Sequence, residues 1–509
     1  MTEISDTPYN LYEVGVNGGT PSTLFKADNT IVSLAVSPNG RYAFATRTKA
    51  TKGYFGREYS QDVPVTNHLI DLTAGSDKKI LSSIRQTLDF TWSPDSGTLF
   101  VTDDYNPGRY IESHITRVWT YAVPSGTEKL VNLGWEPALN PNGSNVNSTQ
   151  QGFIATLANG CNPEVASYTR QGEGWKRSSL EGTHQGNMFS FNASADGRTV
   201  AYYYSTASKP PQGYVATLSG NSVTGERRFT SINKNFESKS PAVSETFTWK
   251  GAKGDTIEGL LYYPSGYQPG KRYPLVGSLH GGPFGLEDDQ WVSEYHRWTE
   301  ARQFFAQKGA FVLVPNFHGS GGYGLGFADA VKGNFYIQQQ DDESGIDRLI
   351  ELGMVDGKRL GVMGWANGGM NTNALIANDQ RFKAASCGAG GAEWISCWGG
   401  STYGDASTEY FFGADPVEDP ALFKDPNQVP FYNAPQVRTP VIMFGGTEDE
   451  AVPVGMTWIT YRGIQKHTKT PIELYLFPGE PHLMLQPAHQ LRKLVEEQKW
   501  FDKYLFGGK

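Results

Sequence analysis

The sequence predicts an N-terminal all-β propeller followed by a doubly wound, mostly parallel α/β domain. Two observations carry that expectation. A short turn phrase recurs about every fifty residues through the first half, and beyond Glu245 apolar strands alternate with helical stretches. The length of 509 residues, 38% of them hydrophobic, is enough for two or three domains with sizeable cores.

The repeated phrase reads Ala35-Val-Ser-Pro-Asn-Gly40, Trp92-Ser-Pro-Asp-Ser-Gly97, Ala138-Leu-Asn-Pro-Asn-Gly143 and Ala193-Ser-Ala-Asp-Gly197. Each copy is an apolar strand leading into a turn, with Asn, Asp and Gly able to take left-handed geometry and Pro fixing φ in three of the four. A second strand such as 41–46 or 199–204 completes a hairpin, and two further runs follow, as at 68–72 and 79–82 or 117–121 and 129–132. Four strands per repeat make a propeller blade, and four units fit between about residues 30 and 232. The leading runs 10–14 and 22–25 are expected to join a run near 236–239 in a fifth blade, closing the ring and removing its exposed edges. The propeller is therefore placed over residues 1–240 and the α/β domain over 241–509.

In the second half, strands are expected at 275–279, 311–315, 360–364, 441–444 and 474–477, the apolar runs of a sheet covered on both faces. Residues 341–352 predict a helix, with Ile346, Leu349 and Ile350 on one face and Gly353 as its stop.

A net charge of −8 and a pI near 5.7 argue against a nucleic-acid partner. The N-terminal residues lack the features of a secretory signal and no run reaches membrane-spanning length, so a cytoplasmic protein without a membrane partner is expected. Three cysteines, Cys161, Cys387 and Cys397, show no metal-ligand spacing. No metal or organic cofactor motif is visible, and the glycine-rich run 319–324 lacks the Lys-Ser/Thr of a phosphate loop. Homo-oligomerisation is left open.

The chemistry gathers around Gly364-Trp365-Ala366-Asn367-Gly368-Gly369. A nucleophile elbow places its reactive residue at a sharp strand-to-helix turn and needs small residues two positions either side, as Gly364 and Gly368 are about 366. The tip here is alanine, where a serine is expected. Asp449 follows the strand ending at Phe444, and His482 follows the next strand, in the chain order that the α/β-hydrolase fold uses for its acid and base. Glu448 is a rival carboxylate and His489 a rival imidazole. The turn His280-Gly281-Gly282-Pro283 suggests that the Gly282 and Asn367 amides form the oxyanion hole.

These motifs, together with Asn316-Phe-His-Gly-Ser-Gly-Gly-Tyr-Gly324 and Pro478-Gly-Glu-Pro-His482, resemble the prolyl oligopeptidase family of serine peptidases, nearest its acylaminoacyl-peptidase and dipeptidyl-peptidase branches. The resemblance is specific over residues 245–509 and only architectural before them. It implies a serine where Ala366 stands, an arginine where His318 stands, and more blades than this chain provides. It also implies that His318, Tyr323 and Trp398 line the substrate, a small peptide-like or acyl compound. Three functions follow. One is a serine hydrolase present as an inactivated Ser-to-Ala variant, another a natural non-catalytic protein that binds ligand, and the third a biosynthetic acyl transfer or cyclisation through the same acyl-enzyme.

Overall fold

The computed structural model describes residues 9–27, 30–48, 65–105, 113–143, 146–291 and 300–507. Its first unit comprises Met1–Asn159, Pro163–Tyr204 and Gly213–Thr230, and its second Gly160–Asn162, Ser205–Gln212 and Ser231–Lys509.

In the first unit, strands β1 (Asn10–Glu13) and β2 (Ser22–Lys26) pair only with each other. Four four-stranded sheets follow, each with its strands in chain order. The first holds β3 (Thr30–Val36), β4 (Tyr42–Thr48), β5 (Val65–Asp71) and β6 (Ser76–Ile80), and the second β7 (Thr87–Trp92), β8 (Thr98–Asp104), β9 (Thr116–Ala122) and β10 (Glu128–Leu130). The third holds β11 (Val146–Thr149), β12 (Gly152–Leu157), β13 (Glu164–Gln171) and β14 (Gly174–Ser179), and the fourth β15 (Met188–Ala193), β16 (Thr199–Thr206), β17 (Lys209–Ser219) and β18 (Ser222–Arg228). Successive sheets share apolar clusters. Phe44, Ile80 and Leu81 of the first meet Trp92, Leu99 and Val101 of the second, while Ile154 and Val165 of the third meet Phe191 and Val200 of the fourth.

The turn phrase works through its serine. Ser37, Ser93 and Ser194 donate their N–H to the carbonyls of Tyr42, Thr98 and Thr199 at 2.7, 2.7 and 2.8 Å. Their hydroxyls accept the N–H groups of those same residues and donate to Asn39, Asp95 and Asp196 two positions on. Each turn thus satisfies its own polar groups before any sheet forms.

Two expectations need correction. The third phrase does not join the first two strands of its sheet: Ala138–Gly143 precedes β11, and the β11–β12 hairpin turns instead at Gln150 and Gln151, between Thr149 and Gly152. Nor does the run at 236–239 supply a fifth-blade strand. It falls in the second unit, where Lys234–Glu237 is a helical turn, α1, entered through Asn233 at φ +61°. Among the described residues of the first unit there are four four-stranded sheets and one two-stranded sheet.

The second unit is built on one eight-stranded sheet. Its strands are β19 (Ser244–Lys250), β20 (Thr256–Tyr262), β21 (Tyr273–Leu279), β22 (Phe311–Asn316), β23 (Val355–Trp365), β24 (Phe382–Gly388), β25 (Val441–Gly446) and β26 (Ile472–Phe477), in the spatial order β19-β20-β22-β21-β23-β24-β25-β26. β19 and β20 are antiparallel and everything from β22 onward is parallel. β22 and β25 are buried at every residue, as continuous apolar strands covered on both faces should be. The connecting helices are α2 (Arg302–Gln307), α3 (Leu325–Ala328), α4 (Ile337–Glu351), α5 (Asn367–Asn378), α6 (Ile395–Gly400), α7 (Gly404–Phe412), α8 (Val454–His467) and α9 (Pro487–Tyr504). Helix α4 stops before Gly353, which takes φ +74°, but begins four residues earlier than its apolar spacing suggests. Its first turn is polar and buried, with Gln338 and Gln339 bonded to Asn367 and Asn378 of α5. No described helix is long and apolar enough to cross a membrane.

Candidate active site

Strand β23 ends at Trp365 and helix α5 begins at Asn367, leaving Ala366 to make the whole reversal at φ 56° and ψ −122°. The flanking glycines are obligatory. A Cβ on Gly364 would come within 2.4 Å of the Gly368 backbone, and one on Gly368 within 2.0 Å of the Leu279 carbonyl oxygen. Ala366 is pinned on both sides, donating its N–H to the Gly388 carbonyl at 3.0 Å and accepting the Met370 N–H at 2.9 Å. A side-chain-bearing residue in this conformation stores strain, on the order of 1–3 kcal/mol. Ala366→Gly is accordingly expected to stabilise the second unit by about 1 kcal/mol after the entropy of the unfolded glycine is deducted, read as a raised denaturation midpoint. A lowered midpoint would show that the turn is unstrained.

Asp449 and His482 sit on the loops after β25 and β26, neighbouring parallel strands. The imidazole Nδ1 lies 2.8 and 3.0 Å from the two carboxylate oxygens. Asp449 is buried and also accepts the N–H groups of Ala451 and Val452, which fixes its orientation. Of the rivals, Glu448 is exposed, and His489 is bonded through Nδ1 to Glu480. The elbow reaches this pair directly, because Trp365 Nε1 donates to the His482 carbonyl at 3.1 Å. Sequence reasoning passed over Trp365, although it occupies the variable position inside the elbow motif.

After β21, His280 is buried, stacked on Phe317 and bonded through Nε2 to Ser320, which holds the start of the glycine turn. Gly282 takes φ +75°, a conformation that glycine adopts without cost. Asn367 is the first residue of α5, so its N–H is among those a helix leaves without an internal partner. Its side chain donates to Gln338 at 2.9 Å.

The three expected substrate contacts fare differently. His318 is buried, with Nδ1 on Asp341 at 2.8 Å, Nε2 on Asp255 at 2.9 Å and its ring stacked on Phe327. Both nitrogens are therefore spent on protein carboxylates, which favours a structural role over a substrate contact. The Tyr323 hydroxyl donates to Glu258 and accepts from Asn316, and burial pushes its pKa well up. It too serves the framework. Trp398 lies half-buried on α6, and its indole N–H has no hydrogen-bond partner among the described residues. Helix α6 adjoins the acid loop: burial, then the charges of Glu393 and Asp449, push the Cys397 thiol up to about 12. Among the described residues, no group of three or more His, Cys, Asp or Glu side chains is placed to hold a metal ion.

Residues 297–508 match the sequence model of the prolyl oligopeptidase family. That region is similar to the catalytic part of the family's peptidases. An uncharacterised peptidase of Bacillus subtilis, YuxL, is 29% identical over 289 residues, 55% of this chain and 42% of that protein. The acylamino-acid-releasing enzyme of Arabidopsis thaliana is 27% identical over 267 residues, 50% of this chain and 33% of the plant protein. The matched stretch thus spans less than half the length of either relative. A puromycin-hydrolyzing peptidase of Mycobacterium tuberculosis shares the fold with a TM-score of 0.70 at 18% identity, over 96% of this chain and 72% of that one. The fold shared with that structure, a propeller followed by an α/β-hydrolase domain, accounts for both units.

Proposed function

We propose that the chain carries the machinery of a serine peptidase of prolyl oligopeptidase type, acting on peptide, acyl-peptide or related amide and ester substrates through an acyl-enzyme, with alanine at the nucleophile position. The observation that carries this reading is the pair formed by buried Asp449 and half-buried His482, joined through the Trp365–His482 bond to a strained, glycine-flanked elbow.

With serine at 366, His482 Nε2 accepts the hydroxyl proton as Oγ attacks the substrate carbonyl. The negative charge on that carbonyl oxygen is met by the N–H groups of Gly282 and Asn367. Collapse of the tetrahedral adduct breaks the amide bond, and the proton on His482 passes to the leaving amine. Water then repeats the sequence on the acyl-enzyme, releasing the acid and restoring the serine. Asp449 keeps Nδ1–H directed away from the reaction and balances the imidazolium.

Rings beyond the oxyanion turn support an apolar or aromatic acyl side. Phe284 packs on Tyr410 at 5.7 Å, and Phe335 packs on Trp394 and Phe411 at 4.8 and 4.6 Å. As it stands, the chain binds substrate and turns it over negligibly.

The test is the Ala366→Ser protein, profiled against peptide, acyl-peptide and ester libraries with products identified by mass spectrometry. Hydrolysis products are expected. Amide or ester exchange products without hydrolysis would move the reading to acyl transfer, and inertness of the folded protein would leave a binding protein.

A further inference from the structure

We propose that Glu480 is a positioning residue for His482, holding the loop after the histidine with its carboxylate and tying that loop to the one bearing Asp449 with its backbone carbonyl. The inference rests on the reading of Asp449 and His482 as the acid and base of the site.

Glu480 stands two residues before His482 and is 1% exposed. Its carboxylate accepts three donors: the Leu485 N–H at 2.7 Å, the Gln486 N–H at 3.1 Å and His489 Nδ1 at 2.6 Å. An ionised carboxylate only accepts, so all three donors are matched to it. Burial works against the charge, but the Leu485 N–H, the His489 imidazole and the Gln486 N–H outweigh it and hold the carboxyl below its usual range. The Leu485 and Gln486 amides immediately precede α9, where a negative charge is also favoured by the helix dipole.

The backbone of Glu480 faces the other way. Its carbonyl accepts the Glu448 N–H at 3.0 Å, one residue before Asp449. The two loops approach so closely that a Cβ on Gly446 would lie 2.2 Å from the Glu480 oxygen and 2.7 Å from that of Pro481. The Gly479 N–H adds a bond to the Thr447 hydroxyl at 2.8 Å.

Apolar packing cannot do this work alone. Of the residues between His482 and α9, Leu483 and Leu485 are 37% and 72% exposed, and only Met484 is buried. The path of the chain past His482 therefore depends on its polar clamp. Losing that clamp leaves the imidazole attached to the fold through Asp449 and the Trp365 bond to its carbonyl, so the direction of Nε2 rests on the Asp449 bond alone. Misplacing a catalytic group by about 1 Å costs on the order of 100-fold in rate.

The experiment has two arms. In the chain as it stands, proton NMR is used to follow the low-field resonance of the Asp449–His482 hydrogen bond, a readout that needs no turnover. Glu480→Ala is expected to broaden or abolish it, and Glu480→Gln, which keeps one accepting oxygen, to retain it in weakened form. In the Ala366→Ser background, Glu480→Ala should lower kcat by about 100-fold with KM changed less than about twofold, and Glu480→Gln should fall between. An unchanged resonance and kcat in Glu480→Ala would overturn the proposal. Should that variant fail to fold, an unchanged kcat and resonance in Glu480→Gln would do the same. If the resonance responds as expected but Ala366→Ser itself is inert, the positioning role stands and the peptidase reading falls.

Discussion

In an Ala366→Ser protein, His482→Ala is expected to lower kcat by about 10⁴-fold or more, and Asp449→Asn by a similar factor, with KM little altered. The elbow's Trp365 holds the His482 backbone, and Asp449 is the carboxylate on the imidazole Nδ1. An amide at 449 would keep the shape yet could hold the ring in the wrong tautomer, so the loss should be one of chemistry rather than of binding. The double variant should be scarcely worse than His482→Ala alone, because the two side chains act as a unit. Steady-state kinetics on a chromogenic ester, whose good leaving group tolerates slow acylation, would measure all three. Retention of activity within tenfold in His482→Ala would remove the pair from the mechanism and leave the elbow without a base.

The legibility of the fold followed how local the encoding was. The Ser-x-Asx turns at 37, 93 and 194 close hydrogen bonds within five residues, so their phrase announces them in any context. The copy at 138–143 also makes a local turn, with the Asn142 N–H on the Asn140 side chain, but its place beside a sheet depends on distant pairing. There Leu139 bridges to both Thr116 and Leu157. Strands β22 and β25 were readable as unbroken apolar runs. β24 was not, because Phe382-Lys-Ala-Ala-Ser-Cys-Gly is built from small residues that carry little strand signal. Its last residue is small for a tertiary reason: a Cβ on Gly388 would lie 2.0 Å from the Trp365 ring. Position 366, Asp449 and His482 were legible because each follows a recognisable strand in a fixed order. Glu480 lay inside the same phrase as His482, yet its role depends on three donors that only folding assembles. The partners of His318 were hidden for the same reason, since the residues that bind its ring, Asp341 and Asp255, stand 23 and 63 positions away.

That cluster supports the largest stability effect expected away from the elbow. Asp341 is fully buried; its carboxylate accepts both the N–H and Nδ1 of His318 and the Ala252 N–H at 2.9 Å, and its backbone carbonyl accepts the Trp249 indole N–H at 2.9 Å. It thereby joins the β19–β20 turn to the start of the glycine-rich run after β22. Removing one partner of a buried pair strands the other, so Asp341→Ala is expected to cost about 3–5 kcal/mol of stability. The charge state of His318 sets a pH signature. Two carboxylates on the two ring nitrogens require both nitrogens to donate. Burial disfavours that charge, but the bonds and charges of Asp341 and Asp255 outweigh it and raise the pKa above 6.5. A raised value in the folded state means that the contribution is complete below about pH 6.5 and is lost as pH climbs through the folded value. The stability gap between this chain and His318→Gln should therefore be widest near about pH 6 and shrink on the alkaline side. Arginine at 318, charged at every accessible pH and able to reach both carboxylates with its fork of donors, should abolish that alkaline loss. Hydrogen exchange at the Ala252 and His318 amides, both bonded to Asp341, reads the cluster locally. A gap that stays flat from about pH 6 to pH 9 would mean a ring that is neutral throughout, bonded to one carboxylate and packed on Phe327.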